Sequence, residues 1–444
     1  MKSTIYTTVS ALALLAATPA LADTNTSTVN QTGTNGAATV TQIGSTATST
    51  VNQSGDADEA VVAQSGATGS SSDVEQTGNA NHAFVTQNDD GTGTTPTQTS
   101  TVSQSGSGNT ATVNQDQKTS FDDITTNTST VDQQGNGNNA LVTQQDDDQG
   151  SSVLQTSDNN SATVSQGNNG APEGSAEGTT FNNTSYVTQG GTGSNSATVT
   201  QTGEDGLSTV NQSGGSNDAF VNQGGGSFNS SDVEQSTDGN YADVTQTGGS
   251  NNSSVTQSSG YSATYGYAAP GDTSGRAEVS QIGFGNTSSV DQSGLMNVAD
   301  VDQIASSNLS TITQSGEGTY AHVTQSGNGN TSSVDQSGTG DNFDLTFGVV
   351  QSGNNNTSDL HQSGTSVFAD VTQSGDSNDS DVEQGGSDNL ANVLQAGSDN
   401  QSTVLQSGAG NTATVNQYSN GNISNVDQSG AGNTATVTQG TGGL

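Results

Sequence analysis

Along the last sixty residues a five-residue pattern returns: a small residue, a variable one, an aliphatic one, a variable one, and Gln. Ser380-Asp381-Val382-Glu383-Gln384 is followed by Ala391-Asn392-Val393-Leu394-Gln395 and Ser402-Thr403-Val404-Leu405-Gln406. Then come Ala413-Thr414-Val415-Asn416-Gln417, Ser424-Asn425-Val426-Asp427-Gln428 and Ala435-Thr436-Val437-Thr438-Gln439. Successive blocks start eleven residues apart and their first residue alternates Ser, Ala, Ser, Ala, so the repeating unit is two blocks, or twenty-two residues. A fixed period of this size marks stacked repeats that bury their inner faces against one another.

Within a block the recurring residues occupy alternate places, which is strand geometry, since successive side chains point to opposite faces. Between blocks, stretches such as Gln406-Ser407-Gly408-Ala409-Gly410-Asn411 read as tight turns, where glycine takes positive φ without steric cost. Like stacks on like, so the pattern predicts Ser blocks in one parallel sheet and Ala blocks in another: an all-β, two-sided parallel β-solenoid. The inward columns are Ser or Ala, Val and Gln, and carrying the alternation backwards adds Asn389, Asn400, Asn411, Asn422 and Asn433. Identical carboxamides stacked about 4.8 Å apart can bond along the column as amide ladders.

The census over the chain gives 17 Ser-type blocks, centred on residues from Val29 to Val426, and 17 Ala-type blocks, from Val40 to Val437. Every central residue, Ile312 and Leu360 included, has Gln two places later, and one Ala slot is broken, by Phe347 ahead of Val349. The reading is therefore about 17 coils with loops inserted at turns. The longer gaps run from Val85 to Val102, Val113 to Val131, Val164 to Val187 and Val255 to Val279, and hold Pro96, Pro172, Pro270, Lys118, Arg276 and the tyrosines Tyr261, Tyr265 and Tyr267. Insertion at a turn costs a solenoid little, because loop entropy grows slowly with length. The tyrosines read as a loop packed over its own turn.

The pattern from Ser402 to Gln417 resembles the curlin repeat of curli, the functional amyloid fibres of Gram-negative bacteria. Ser402, Val404, Gln406, Gly408, Asn411, Ala413, Val415 and Gln417 match position by position. The resemblance implies a secreted subunit that polymerises outside the cell into cross-β fibres supporting biofilm and adhesion. It implies as partners further copies of the chain, a nucleator subunit and an outer-membrane secretion channel.

Composition alone suggests disorder: 26% hydrophobic residues, 59 glycines and a formal net charge of −40 in 444 residues. Periodicity argues the other way, since a disordered tail has no reason to keep Gln in register. Cysteine is absent, so there is neither a disulfide framework nor a thiolate site. An excess of acid this large speaks against nucleic acid and anionic membrane as partners. Residues 1–22 read as a secretory signal peptide, with Lys2 as the basic end, Val9 to Leu15 apolar and Ala20-Leu21-Ala22 as the cleavage motif. Residues 23–444 are then the repeat domain, without a stretch apolar enough for membrane insertion.

Nothing in the pattern reads as an enzyme or calls for a cofactor. Asp146-Asp147-Asp148 and Asp89-Asp90 match neither an EF-hand loop nor a calcium-binding nonapeptide, and His82, His322 and His361 lie too far apart in sequence for a metal site. No acid pair stands out as a hydrolase dyad. The pairs Thr39 with Thr41, Thr198 with Thr200 and Thr436 with Thr438 are too scattered for an ice-binding array.

One outward column does suggest control. Just after the central residue of Ser blocks stand Glu75, Asp132, Glu234, Asp291, Asp335, Glu383 and Asp427, no two in successive coils. Stacked carboxylates about 5 Å apart repel, so this spacing keeps charge without piling it up, although Asp359 and Asp381 do follow one another in another column. The isolated acids read as gatekeepers that delay assembly. Neither end of the repeat region reads as a cap, so matching edges favour head-to-tail growth. The competing reading is a secreted monomeric solenoid adhesin that binds surfaces through its insertion loops.

Overall fold

The computed structural model describes residues 24–440 apart from 67–68, 90–96, 118–125, 146–147, 168–181, 259–274 and 341–347. The signal-peptide reading of 1–22, the tyrosines at 261, 265 and 267, Phe347, Lys118, Pro96, Pro172, Pro270, Asp90, Asp146 and Asp147 lie outside the described residues.

Thirty-four strands follow one another, from β1 (Thr26–Gln31) and β2 (Ala37–Ile43) to β33 (Ile423–Gln428) and β34 (Thr434–Gln439). Odd-numbered strands form one sheet of 17 and even-numbered strands the other. Each strand pairs in parallel with the next of its own kind: Val29 lies against Val51, Val404 against Val426 and Val415 against Val437. The Ser-type and Ala-type blocks thus stack separately, and the sequence periodicity is the strand register. The inserted segments cost no strand, for Val153 pairs with Val187 and Val244 with Val279 across the longest of them.

The two sheets face each other through the inner Val, Ser, Ala and Gln columns, which are buried from the second coil to the sixteenth wherever the strand is complete. The weak point is the slot ahead of Val349, where β26 is reduced to Val349–Gln351. A small cavity opens beside it, lined by Tyr320, Val334, Leu360 and Phe368 among others.

Turn glycines do two different jobs. Gly410 has a φ of +63° with nothing within 4 Å of an added Cβ, so it is there for conformation. Gly408 is there for space, since a Cβ would sit 1.6 Å from the Gly430 carbonyl oxygen of the next coil. Attributing both turn glycines to positive φ is therefore corrected for Gly408.

The Asn columns also differ from the expected amide ladder. Asn389 Oδ1 accepts the backbone N–H of Asn411 at 2.9 Å, and Asn389 Nδ2 donates to the Gly408 carbonyl at 2.9 Å. Asparagine thus clamps the backbone of the following coil. Side-chain to side-chain Asn bonds in this column occur in the last coil, from Asn422 to Asn400 and from Asn433 to Asn411. The column is also incomplete, with Gly36, Ala47, Asp58, Ser70, Gln98, Gln149, Gly206, Gly275, Thr319 and Val367 in the Asn place.

Candidate assembly interface

Glutamine makes the ladder. On the Ser side every Gln from Gln31 to Gln406 donates Nε2–H to Oε1 of the next coil's Gln, at 2.6–3.0 Å. On the Ala side the same holds from Gln42 to Gln417 at 2.7–3.0 Å. The second N–H crosses to a backbone carbonyl of the facing sheet, as from Gln406 to Leu390 and from Gln417 to Gln401. Strand geometry turns each Gln inward and parallel in-register stacking brings the next to bonding distance, so a buried polar group is satisfied by its own repeat.

The ladder has a direction. At its first coil Gln31 and Gln42 donate forward to Gln53 and Gln64, and their Oε1 atoms accept no bond among the described residues. At its last described coil Gln428 and Gln439 donate one N–H to the Thr412 and Ile423 carbonyls and, among the described residues, meet no further Gln with the other. Among the described residues the two end coils are the least covered: Val29, whose equivalents in every other coil are buried, is 44% exposed, and β34 is exposed or half-buried throughout. One end offers acceptors and the other donors, over the same cross-section.

The inner hydroxyls of the Ser column, from Ser49 to Ser424, are buried and lack a hydrogen-bond partner. Among the described residues they fill space without bonding to one another or to the backbone.

The outward acids fall where the register puts them. Glu75 lies between Asn52 and Ser103, Glu234 between Asn211 and Thr256, Asp291 between Thr256 and Thr313. Asp132 stands between Ser103 and Leu154, and Asp427 against Leu405. His361 separates Asp335 from Glu383, with its Nδ1 3.1 Å from Asp335 Oδ2. Asp359 and Asp381 do stack, and burial first, then Asp359 and the neighbouring acids, push the Asp381 carboxyl above the ordinary aspartate range.

A second stack escaped the sequence reading. Asp243, Glu278 and Asp300 occupy successive coils of the even sheet and His322 follows them. Two basic groups lie beside the stack: Arg276 pairs with Glu278 and lies 5.9 Å from the Tyr241 ring centroid, and His322 Nδ1 lies 3.2 Å from Asp300 Oδ2. The Asp300 carboxylate raises the His322 pKa against the opposing pull of burial, while burial raises those of Asp243 and Asp302. Burial, with Asp300 beside it, takes the Tyr320 phenol up to about 12. The signal was present in the residue before the central Val of Ala blocks, but only the register makes it a column. Among the described residues no three His, Asp or Glu side chains converge as metal donors, and no helix is long and apolar enough to cross a membrane.

Comparison with known proteins agrees with this geometry. A family model described as the curlin associated repeat matches residues 226–258, 276–304, 305–338, 353–386 and 386–418. No curated protein matches the chain. Each matched stretch covers stacked strands of the same two-sheet ladder, and the repeats between residues 226 and 418 match the curlin repeat family.

Proposed function

We propose that the chain is a structural, non-enzymatic subunit of an extracellular curli-like amyloid fibre, exported through residues 1–22 as signal peptide and growing by end-to-end stacking of residues 23–444. The observation that carries this is the directional Gln ladder with unused acceptors at Gln31 and Gln42 and unused donors at Gln428 and Gln439. In the junction β1 of one copy continues from β33 of another and β2 from β34. Val29 then covers Val426, Val40 covers Val437, and both ladders run on unbroken. A heterologous contact of this kind cannot close on itself and grows a filament, each copy adding about 80 Å at the inter-strand spacing. The family likeness supports a nucleator and an outer-membrane channel as partners, and fibres of this kind serve a biofilm matrix and cell adhesion.

The acids Glu75, Asp132, Glu234, Asp291, Asp335, Glu383 and Asp427 act as gatekeepers in this scheme, holding chains apart until they are outside the cell. Fibre diffraction on purified residues 23–444 tests the whole reading, at neutral pH and near pH 4, where many carboxylates are protonated. The expected result is a meridional reflection near 4.8 Å and an equatorial one near 10 Å, appearing sooner in acid. Folded monomers in clear solution under both conditions would defeat it and favour the adhesin. An unchanged lag after replacing the seven acids with amides would remove the gatekeeper role alone.

A further inference from the structure

The turns leading from even to odd strands form one edge of the solenoid. Across four successive turns this edge carries Phe228, Ile282, Phe284 and Ile304, and Ile282 and Ile304 are register partners. All four are exposed, the two phenylalanines at 65% and 64%. Phe284 sits over the preceding coil's Gly249, where an added Cβ would meet its ring at 3.1 Å. Phe228 has a φ of +63°, at a place where neighbouring coils have Asp205 and Ser250. The turn itself imposes this left-handed conformation, which Asp205, Ser250 and Ser307 also adopt, so what sets Phe228 apart is a bulky aromatic ring, exposed to water, where the other coils carry small or polar residues.

The same edge is uncharged over six turns: 224–229, 247–251, 282–286, 304–308, 326–330 and 352–356 contain no acidic residue. Glu204 and Asp205 bound it on one side and Asp376 on the other. On a chain of net charge −40 a second copy is repelled across much of the surface, and this window of six acid-free turns lowers that repulsion locally.

We infer that this edge is a lateral contact between copies of the chain lying side by side in neighbouring fibres. The inference rests on the fibre reading. Four side chains make a patch well short of the ~1,000 Å² that a specific protein pair needs, so free monomers do not dimerise through it. In a fibre the patch recurs once per subunit, about every 80 Å, and many weak contacts act together.

Two experiments separate this inference from the fibre reading. In the first, Phe228→Ser, Ile282→Thr, Phe284→Ser and Ile304→Ser are combined, each installing a residue type found at that place in a nearby coil. Electron microscopy and low-speed sedimentation then follow bundling. Wild-type fibres should lie in bundles, and the variant should grow equally long single filaments with a several-fold lower pelleted fraction. Single wild-type filaments, or variant fibres that bundle as before, overturn the inference and leave the fibre reading intact. Absence of fibres in the wild type overturns both.

The second uses the lack of native cysteine. Ser306→Cys lies within the window, and Ser398→Cys occupies the same column outside it. Oxidised fibres should give disulfide dimers for Ser306→Cys and few for Ser398→Cys, since equivalent residues within one fibre are far apart. Equal yields would overturn the inference even if the quadruple variant fails to fold.

Discussion

Replacing Gln212 with Leu tests whether amide bonding or burial holds the coils together. Gln212 is buried in the middle of the Ser-side ladder, accepts from Gln189 at 2.9 Å and donates to Gln235 at 2.8 Å and to the Ser196 carbonyl at 2.9 Å. Leucine fills much the same space but leaves the Gln189 amide without an acceptor and Gln235 Oε1 without a donor. A buried polar group deprived of its partner costs about 1–3 kcal/mol, so the loss should be ~2–6 kcal/mol. Gln439, in the last coil, accepts from Gln417 alone and is half-buried. Gln439→Leu orphans one group where Gln212→Leu orphans two, the Gln417 N–H of a part-buried bond at the end of the described ladder, and should cost about 1 kcal/mol. Hydrogen exchange on soluble monomer, read coil by coil, suits the assay, because a solenoid opens locally as well as globally. The opening free energy should drop at the coils flanking Gln212 and change less for Gln439→Leu. Equal effects at the two sites, or less than about 1 kcal/mol at Gln212, would refute the claim that the ladder is a principal source of cohesion.

Further outcomes follow from other columns. Ser402→Ala removes a buried hydroxyl that has no partner and should leave urea stability unchanged or raise it by up to about 1 kcal/mol; a loss above that would reveal a bond. Gly408→Ala drives a Cβ into the Gly430 carbonyl and should cost about 3 kcal/mol or more, against about 1 kcal/mol for Gly410→Ala; denaturation of the two variants should rank them in that order. Asp381 has a raised folded pKa, so it takes up its proton more readily in the fold, and its contribution improves as pH falls through that value. Asp381→Asn should therefore stabilise at neutral pH and lose its advantage near pH 4, in matched denaturation curves. His322, also raised, contributes fully below its unfolded pKa of about 6.5 and loses this as pH rises through the higher folded value. A His322→Asn variant should show its deficit below pH 6.5 and little difference well above it.

Strands, register and the separation of Ser from Ala blocks were legible in the sequence, because alternation within a block and a constant interval between blocks leave no other pairing that keeps Val and Gln inside. The Gln ladder followed from the same regularity. What lay hidden depends on neighbours the period does not name. The different duties of Gly408 and Gly410 depend on how closely one turn lies over the next. The Asp243–Glu278–Asp300 stack becomes visible once register is carried across residues 259–274. Phe228, Ile282, Phe284 and Ile304 fall outside the five-residue blocks and look scattered until the turns are stacked.

The contrast between Gln and Asn explains which positions the fold holds fixed. A Gln bonds to another Gln, so any replacement removes the partner of the residue above and of the residue below; the column has Gln in all thirty-four strands. An Asn bonds to backbone, which every residue supplies. Asn25 Oδ1 accepts from the Ala47 amide, Asn127 Oδ1 from Gln149, Asn183 Oδ1 from Gly206 and Asn297 Oδ1 from Thr319, all at 2.8–3.0 Å. A substitution there forfeits the clamp its own side chain would have made and leaves the bond it receives intact, which is why the column tolerates Ala, Gln, Gly and Thr. The proposed junction obeys the same rule. Gln428 and Gln439 meet Gln31 and Gln42, where only Gln will serve, whereas Asn433 meets Gly36, whose backbone amide is all that the clamp requires. A chain end that satisfied the Asn columns but lacked Gln at position 31 or 42 would still dock, and would interrupt the ladder at every junction along the fibre.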